Sequence, residues 1–248
     1  MNADRQPQNQ LLLSEKSIQV QKMFDKISNK YDFLNRLLSA GQDIRWRNKM
    51  ITSFPKSLTR SGILYDVACG TGDVLFHTLA KRKDFKEFYG FDISIGMLEQ
   101  ARLRAKKSNN LQNIHFVQAS AEILPVESET ADCLTISFGL RNVDNREVAL
   151  KEFQRVLKKS GTLYVLEFFK ADNTLFAKFF DFYFKKILPK IGGIFSDRTA
   201  YEYLPNSVST MPSAENFEKM LCDIGFTSIE QTKWLGGATR LFKATKKS

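Results

Sequence analysis

The stretch YDVACGTGDVLF, residues 65–76, sets three small residues at alternate positions, Ala68, Gly70 and Gly72, between two apolar runs. This is the pattern of a strand passing through a tight turn into a helix, a common seat for a nucleotide in an α/β sheet. In the dinucleotide pattern Gly-x-Gly-x-x-Gly, counting from Gly70 puts the third glycine at Leu75, and counting from Ala68 puts it at Asp73. Neither fits. A phosphate-binding P-loop ends in Gly-Lys-Ser/Thr, whereas Gly72 is followed by Asp73, whose carboxylate repels a phosphate.

The turn is followed at a distance by Asp92, at the end of the next strand-like run. A carboxylate there can accept hydrogen bonds from both hydroxyls of a ribose, and it also suits a cap on the helix starting near Ser94. A ligand with a ribose, no phosphate and a positive charge fits such acidic surroundings. S-adenosyl-L-methionine (AdoMet), a sulfonium nucleoside, is of that kind. The segment QASAEILP puts Ser120, Ala121 and Glu122 beside the expected adenine, and Ser137 lies under the expected methionine part.

Five apolar, β-branched or aromatic runs alternate with helical patterns: residues 63–68, 88–93, 114–119, 133–139 and 162–169. Such alternation predicts a parallel, doubly wound sheet. In NREVALKEFQRVLKK, Ala149, Phe153, Val156 and Leu157 share one helical face, and the helix is expected to stop at Ser160–Gly161. The runs 226–234 and 239–246 flank LGGA and read as an antiparallel hairpin. Five parallel strands completed by such a hairpin, with helices on both faces, is the Rossmann-like layout of class I methyltransferases.

Residues 14–53 read as a helical extension or lid, with Val20, Phe24, Ile27, Tyr31 and Leu34 on one face. Residues 173–211 read as an insertion on the substrate or membrane side, and residues 1–13 as a disordered terminus before a single domain, 14–248.

The chain has 248 residues, 43% hydrophobic and 26% charged, enough to bury a core. Its three cysteines, Cys69, Cys133 and Cys222, are far apart and suggest neither a disulfide framework nor a zinc site, so no metal is expected. Neither a leader sequence nor a bilayer-spanning apolar stretch is apparent, so a cytoplasmic location is expected. The net charge of +10 suits an anionic surface, nucleic acid or acidic lipid.

The chain resembles the UbiE/MenG family of ubiquinone/menaquinone biosynthesis C-methyltransferases from about Val20 to Lys243. The carrying stretches are MFDKISNKYDFLNRLLSAGQDIRW, YDVACGTGD, GFDISIGMLEQAR, SAEILP, ADCLTISFGLRNV, RVLKKSGTLYVLEF and YEYLPNSVSTMP. The sequence departs from the family pattern at Asp43, where a histidine is usual, at Lys159–Ser160 in place of Pro-Gly, and at Phe169 in place of a serine.

The resemblance implies AdoMet contacts at Thr71, Asp92, Ser120, Ala121 and Ser137. Asp66, Gly70, Gly72 and Met97 complete the expected cofactor-binding set. The implied substrate is a polyprenylated quinol, either a naphthoquinol or a methoxy-benzoquinol, methylated on ring carbon. A quinol attacks through carbon once its hydroxyl loses a proton, so the site must stabilise a phenolate. Arg141, Asn142 and Tyr31 are the expected catalytic residues, and Asn35 and Tyr203 are further candidates for the ring pocket. His77 and His115 are expected to be structural, which leaves Asp32, a tyrosine or water as proton acceptor.

The segment TLFAKFFDFYFKKILPKIGG interleaves aromatics with Lys178, Lys185, Lys186 and Lys190 and suits an interfacial helix or a wall for the prenyl tail. Transient contact with the inner face of the cell membrane is therefore expected. No RNA-binding module, arginine-rich tract or catalytic-cysteine motif accompanies the basic charge, so nucleic acid is not an expected partner. A homodimer is compatible with the sequence. Another small-molecule or RNA methyltransferase is the alternative.

Overall fold

The computed structural model describes residues 13–55, 61–108, 113–172 and 198–248. The first three helices are α1 (Glu15–Ile27), α2 (Tyr31–Leu38) and α3 (Gln42–Thr52). Then β1 (Gly62–Val67), α4 (Asp73–Lys81), β2 (Phe85–Asp92), α5 (Ile95–Lys107), β3 (Ile114–Gln118), β4 (Ala131–Ser137), α6 (Arg146–Val156) and β5 (Leu157–Phe168) alternate. The chain closes with α7 (Arg198–Ser209), α8 (Ala214–Ile224), β6 (Phe226–Trp234) and β7 (Thr239–Lys246).

The strands form one seven-stranded sheet in the order β3-β2-β1-β4-β5-β7-β6. The first five are parallel, and β7 lies antiparallel between β5 and β6, so the expected hairpin completes the expected parallel sheet. Order reverses at β1, and the carboxyl ends of β1 and β4 there open the crevice in which such sheets bind ligands.

Side-chain alternation along each strand divides the core between the two faces of the sheet. Leu64, Cys133, Tyr164 and Leu166 pack with Trp46, Met50, Phe54 and Leu98 beneath α3, α4 and α5. Tyr65, Leu134, Leu163 and Val165 pack with Leu150, Phe153, Phe217 and Leu221 beneath α6 and α8. Phe169, one of the departures from the family pattern, is buried against Phe217 and Phe242.

Two boundaries differ from the sequence reading. The helix α6 ends at Val156 rather than at Ser160–Gly161, because Leu157 leaves the helix to pair with Ala131 and Lys158 reaches Asp132 at 2.8 Å. The lid face from Val20 to Tyr31 is interrupted by a tight turn at Ser28–Lys30, where Ser28 Oγ bonds the Asp25 carbonyl. Asp25 also accepts hydrogen bonds from Ser94 Oγ at 2.5 Å and Gly96 N at 2.9 Å, which fastens the end of α1 to the start of α5. The Leu34 side chain, residues 1–12 and the aromatic segment from Thr174 to Lys190 lie outside the described residues.

Candidate functional site

The alternating small residues of the opening stretch share one conformational cause. Ala68, Gly70 and Gly72 all adopt positive φ, at 52°, 56° and 83°, a region costly for most side chains. Gly72 is also the N-terminal cap of α4, where an added Cβ would stand 2.9 Å from the Phe76 ring. The turn is fixed by Cys69 N bonding Phe91 O at 3.0 Å and Gly72 N bonding Cys69 O at 2.9 Å.

Gly70 N donates to Asp92 Oδ2 at 2.8 Å, and Ser94 N donates to Asp92 Oδ1 at 2.9 Å. Both carboxylate oxygens are thus held in place while each keeps a lone pair for a ligand hydroxyl. Burial pushes the Asp92 carboxyl up to about 6, against the hydrogen bonds that favour its charged form. Capping of α5 falls to Ser94, whose Oγ accepts from Met97 N, so the carboxylate of Asp92 orients the turn and faces the cavity.

A cavity opens at this crevice. Gly70, Asp92, Met97, Ser120, Ala121, Ser137, Asn142 and Tyr31 all line it, and Ser17, Val20 and Phe24 of α1 close one side. Phe24 and Tyr31 meet edge to face at 5.9 Å, so the helical extension forms one wall of the cavity. Its titratable lining is acidic, with Asp92, Glu122 and Asp144 and neither lysine nor arginine. Asn142 Oδ1 is buried without a hydrogen-bond partner among the described residues.

A smaller recess adjoins it, lined by Asp66, Thr71, Arg47, Asp73 and Cys69, with Tyr31, Gly70 and Ser137 common to both. Asp66 is buried, accepts a 2.6 Å hydrogen bond from Thr135 Oγ1, and is pushed up to about 7 by burial. Thr71 Oγ1 donates to Asp32 Oδ1 at 2.6 Å, tying the glycine turn to α2. Tyr31 bonds Asn35, and burial raises its phenol.

Asp73, read from sequence as a repulsive charge, is compensated. It receives Arg36 at 2.5 Å, Arg104 at 2.7 Å and Arg47 at 3.3 Å, and these partners hold it below the usual carboxylate range despite its burial. Asp43, where the family pattern has histidine, is buried between Arg36 and Arg47 and accepts from Ser39 Oγ at 2.8 Å.

Of the expected catalytic and cofactor-binding residues, Gly72 and Arg141 stand apart from both cavities, as do the ring-pocket candidates Asn35 and Tyr203. Gly72 belongs to the turn's geometry. Arg141 is buried behind the cavity, its Nη1 bonded to Glu167 Oε1 at 2.7 Å and to Phe138 O at 2.5 Å, with its Nε unpartnered among the described residues. Burial raises the Tyr203 phenol, and Arg141 and Arg146 act on it to oppose that rise. His77 sits in α4 with its Nδ1 buried and unpartnered among the described residues, and burial lowers its basicity. His115 stacks on Tyr89 at 4.6 Å and meets Glu87 at 2.9 Å. Among the described residues no cluster could hold a metal ion.

The sequence reading missed Glu167 and Arg47. Glu167 had a visible signal, a carboxylate inside the apolar run TLYVLEFF. Arg47 had a weaker one, its place four residues after Asp43 on a helix.

A family model described as the ubiE/COQ5 methyltransferase family matches residues 12–246. The ubiquinone/menaquinone biosynthesis C-methyltransferase UbiE of Citrifermentans bemidjiense is 40% identical over 234 residues, covering 94% of this chain and 99% of that protein. The protein of the same name from Campylobacter jejuni is 40% identical over 239 residues, with 94% and 99% covered. Among solved structures, a SAM-dependent methyltransferase from Thermotoga maritima is 19% identical with a TM-score of 0.63, covering 92% of this chain and 99% of that one. The cyclase SpnF reaches a TM-score of 0.68 at 16% identity, covering 93% and 97%. These structural likenesses show the fold, and a cyclase among them shows that the fold alone does not set the reaction.

Proposed function

This chain belongs to the ubiE/COQ5 methyltransferase family, and from that premise we propose that it methylates a ring carbon of a polyprenylated quinol with AdoMet as donor. The observation that carries the reading is the match over residues 12–246, which spans the sheet, the glycine turn and the lid helices that wall the cavity. The cavity's chemistry fits the donor: an acidic lining for a cation, an oriented Asp92 for ribose hydroxyls, and an unpartnered Asn142 Oδ1.

When bound, the cofactor supplies a methyl carbon on a positively charged sulfur. The protein's own task is to bring a quinol ring carbon to face that methyl, to stabilise the ring oxygen as it loses its proton, and to keep water out. We assign the ring oxygen to Arg141 and Asn142. With Glu167 balancing its charge, Arg141 acts as an oriented hydrogen-bond donor through Nη2, which has no partner among the described residues. Tyr31, between the two cavities, holds the lid against the turn, and Asp32 or water takes up the proton.

For the cofactor we assign Ser120 and Ala121 to the adenine side, Asp92 to the ribose, and Asp66, Thr71 and Ser137 to the methionyl side. Gly70, Gly72 and Met97 shape the turn and the cavity wall. No helix among the described residues is long and apolar enough to cross a membrane. The prenyl tail and the +10 charge favour transient contact with an anionic bilayer from its cytoplasmic side, through the lysine-rich aromatic segment. Flotation with anionic vesicles at low and high salt tests that contact, and no binding at low salt overturns it. For the reaction, AdoMet with a labelled methyl group is incubated with reduced quinols. Label on ring carbon supports it, and no transfer to either quinol class contradicts it.

A further inference from the structure

With Asp92 taking the ribose, the methionyl half of the cofactor runs toward the smaller recess. That half ends in an ammonium and a carboxylate, and a carboxylate needs a cation. Arg47 is the one basic side chain lining the recess, and no lysine or arginine lines the larger cavity. We propose that Arg47 binds the α-carboxylate of AdoMet, an inference that rests on the cofactor reading above.

Three observations carry it. First, the guanidinium is fixed and only half used: Arg47 is 5% exposed, its Nη1 bonds Asp43 at 2.5 Å and Asp73 at 3.3 Å, and its Nε and Nη2 bond nothing among the described residues. Those two nitrogens present the parallel pair of donors that a carboxylate accepts best. Second, the guanidinium lies 5.5 Å from the centre of the Phe138 ring, which lines the larger cavity, so it stands at the junction of the two spaces.

Third, the two carboxylates that Arg47 meets are shared with other cations: Arg36 pairs with both Asp43 and Asp73, and Arg104 pairs with Asp73. Arg47 can therefore take a further carboxylate without leaving Asp43 or Asp73 unpaired, while Asp66, also in the recess, is positioned for the ammonium. Asp43 thereby acts through Arg47: it aims the guanidinium at the cofactor.

Calorimetric titration with AdoMet and with decarboxylated AdoMet, which keeps the sulfonium and the ammonium, tests the assignment. Wild-type protein should bind AdoMet at least ~10-fold more tightly than the decarboxylated form, the scale of a charge-assisted pair. Arg47→Gln should erase most of that preference by weakening AdoMet alone, and Arg47→Lys should restore part of it. Arg36→Gln removes the same charge from the same network away from either cavity, and should leave the preference within about threefold. If Arg47→Gln weakens both ligands in equal proportion, Arg47 serves the fold and the assignment is overturned. If wild-type protein binds neither ligand, the cofactor reading itself fails and the assignment fails with it.

Discussion

Glu167 accepts a 2.7 Å hydrogen bond from Arg141 in a pair that is almost wholly withdrawn from solvent, with Glu167 0% and Arg141 9% exposed at the side chain. Glu167 also accepts from the backbone N–H groups of Arg141 and Phe168, so the carboxylate organises the loop that follows β4. Removing one member leaves the other buried and unpaired, at a cost of about 3–5 kcal/mol. Arg141→Ala should therefore lower unfolding stability. In the fraction that folds, AdoMet affinity should stay near normal, because Arg141 lines neither cavity, while kcat falls strongly. The double variant Arg141→Met, Glu167→Gln should regain stability but not turnover. Loss of AdoMet binding in a folded variant would refute the role given to Arg141.

Asp92 makes the opposite split. Replacing it by alanine should weaken AdoMet by about 1–3 kcal/mol, the scale of hydrogen bonds to a charged group. Calorimetry reads this directly, and an unchanged Kd removes Asp92 from the site.

The two buried carboxyls also set a pH signature. Burial raises Asp92 to about 6 and Asp66 to about 7, both above the ordinary aspartate value of 3.8. In the window from about 7 down to about 4 the folded state therefore binds more protons than the unfolded one, so these groups stabilise the ligand-free fold as pH falls. Asp73 is lowered instead from 3.8, so its contribution is present throughout that window and is lost only on acidification below it. AdoMet binding should move the other way, weakening below about pH 6 as Asp92 becomes protonated. Calorimetry between pH 5 and pH 8, read with thermal melts of the free protein, separates the two trends; affinity that is flat across this window contradicts the assignment to Asp92.

Gly139 presses the β4 loop against the glycine turn: a Cβ there would collide with the Ala68 Cβ and stand 3.3 Å from Ile136 Cγ1. Gly139→Ala should cost about 1–3 kcal/mol of stability by overpacking and should also weaken AdoMet, since both loops line the cavity. A variant as stable as the wild type would show that the loops yield freely.

How far the sequence revealed these features follows from the range of the forces involved. The five parallel strands and the hairpin were legible because alternation and glycine connections are local signals. The glycine turn was legible because positive φ at positions 68, 70 and 72 demands small residues. The helix end at Val156 was not, since Leu157 fits a helical face as well as a strand and only pairing with Ala131 decides. Charge partners were harder still. Asp73 was read as a free carboxylate because Arg36, Arg47 and Arg104 reach it from three separate helices. Arg141 was recognised in ISFGLRNV, but its compensation by Glu167 comes from the neighbouring strand, 26 residues on.

The central claim is tested most directly by mass spectrometry and carbon NMR of the product formed from methyl-labelled AdoMet and a reduced polyprenyl quinol. The account predicts one labelled methyl group on ring carbon, formed only with the reduced quinol and lost in Arg141→Ala. Label on a ring oxygen, or no transfer to either a naphthoquinol or a benzoquinol, would contradict it.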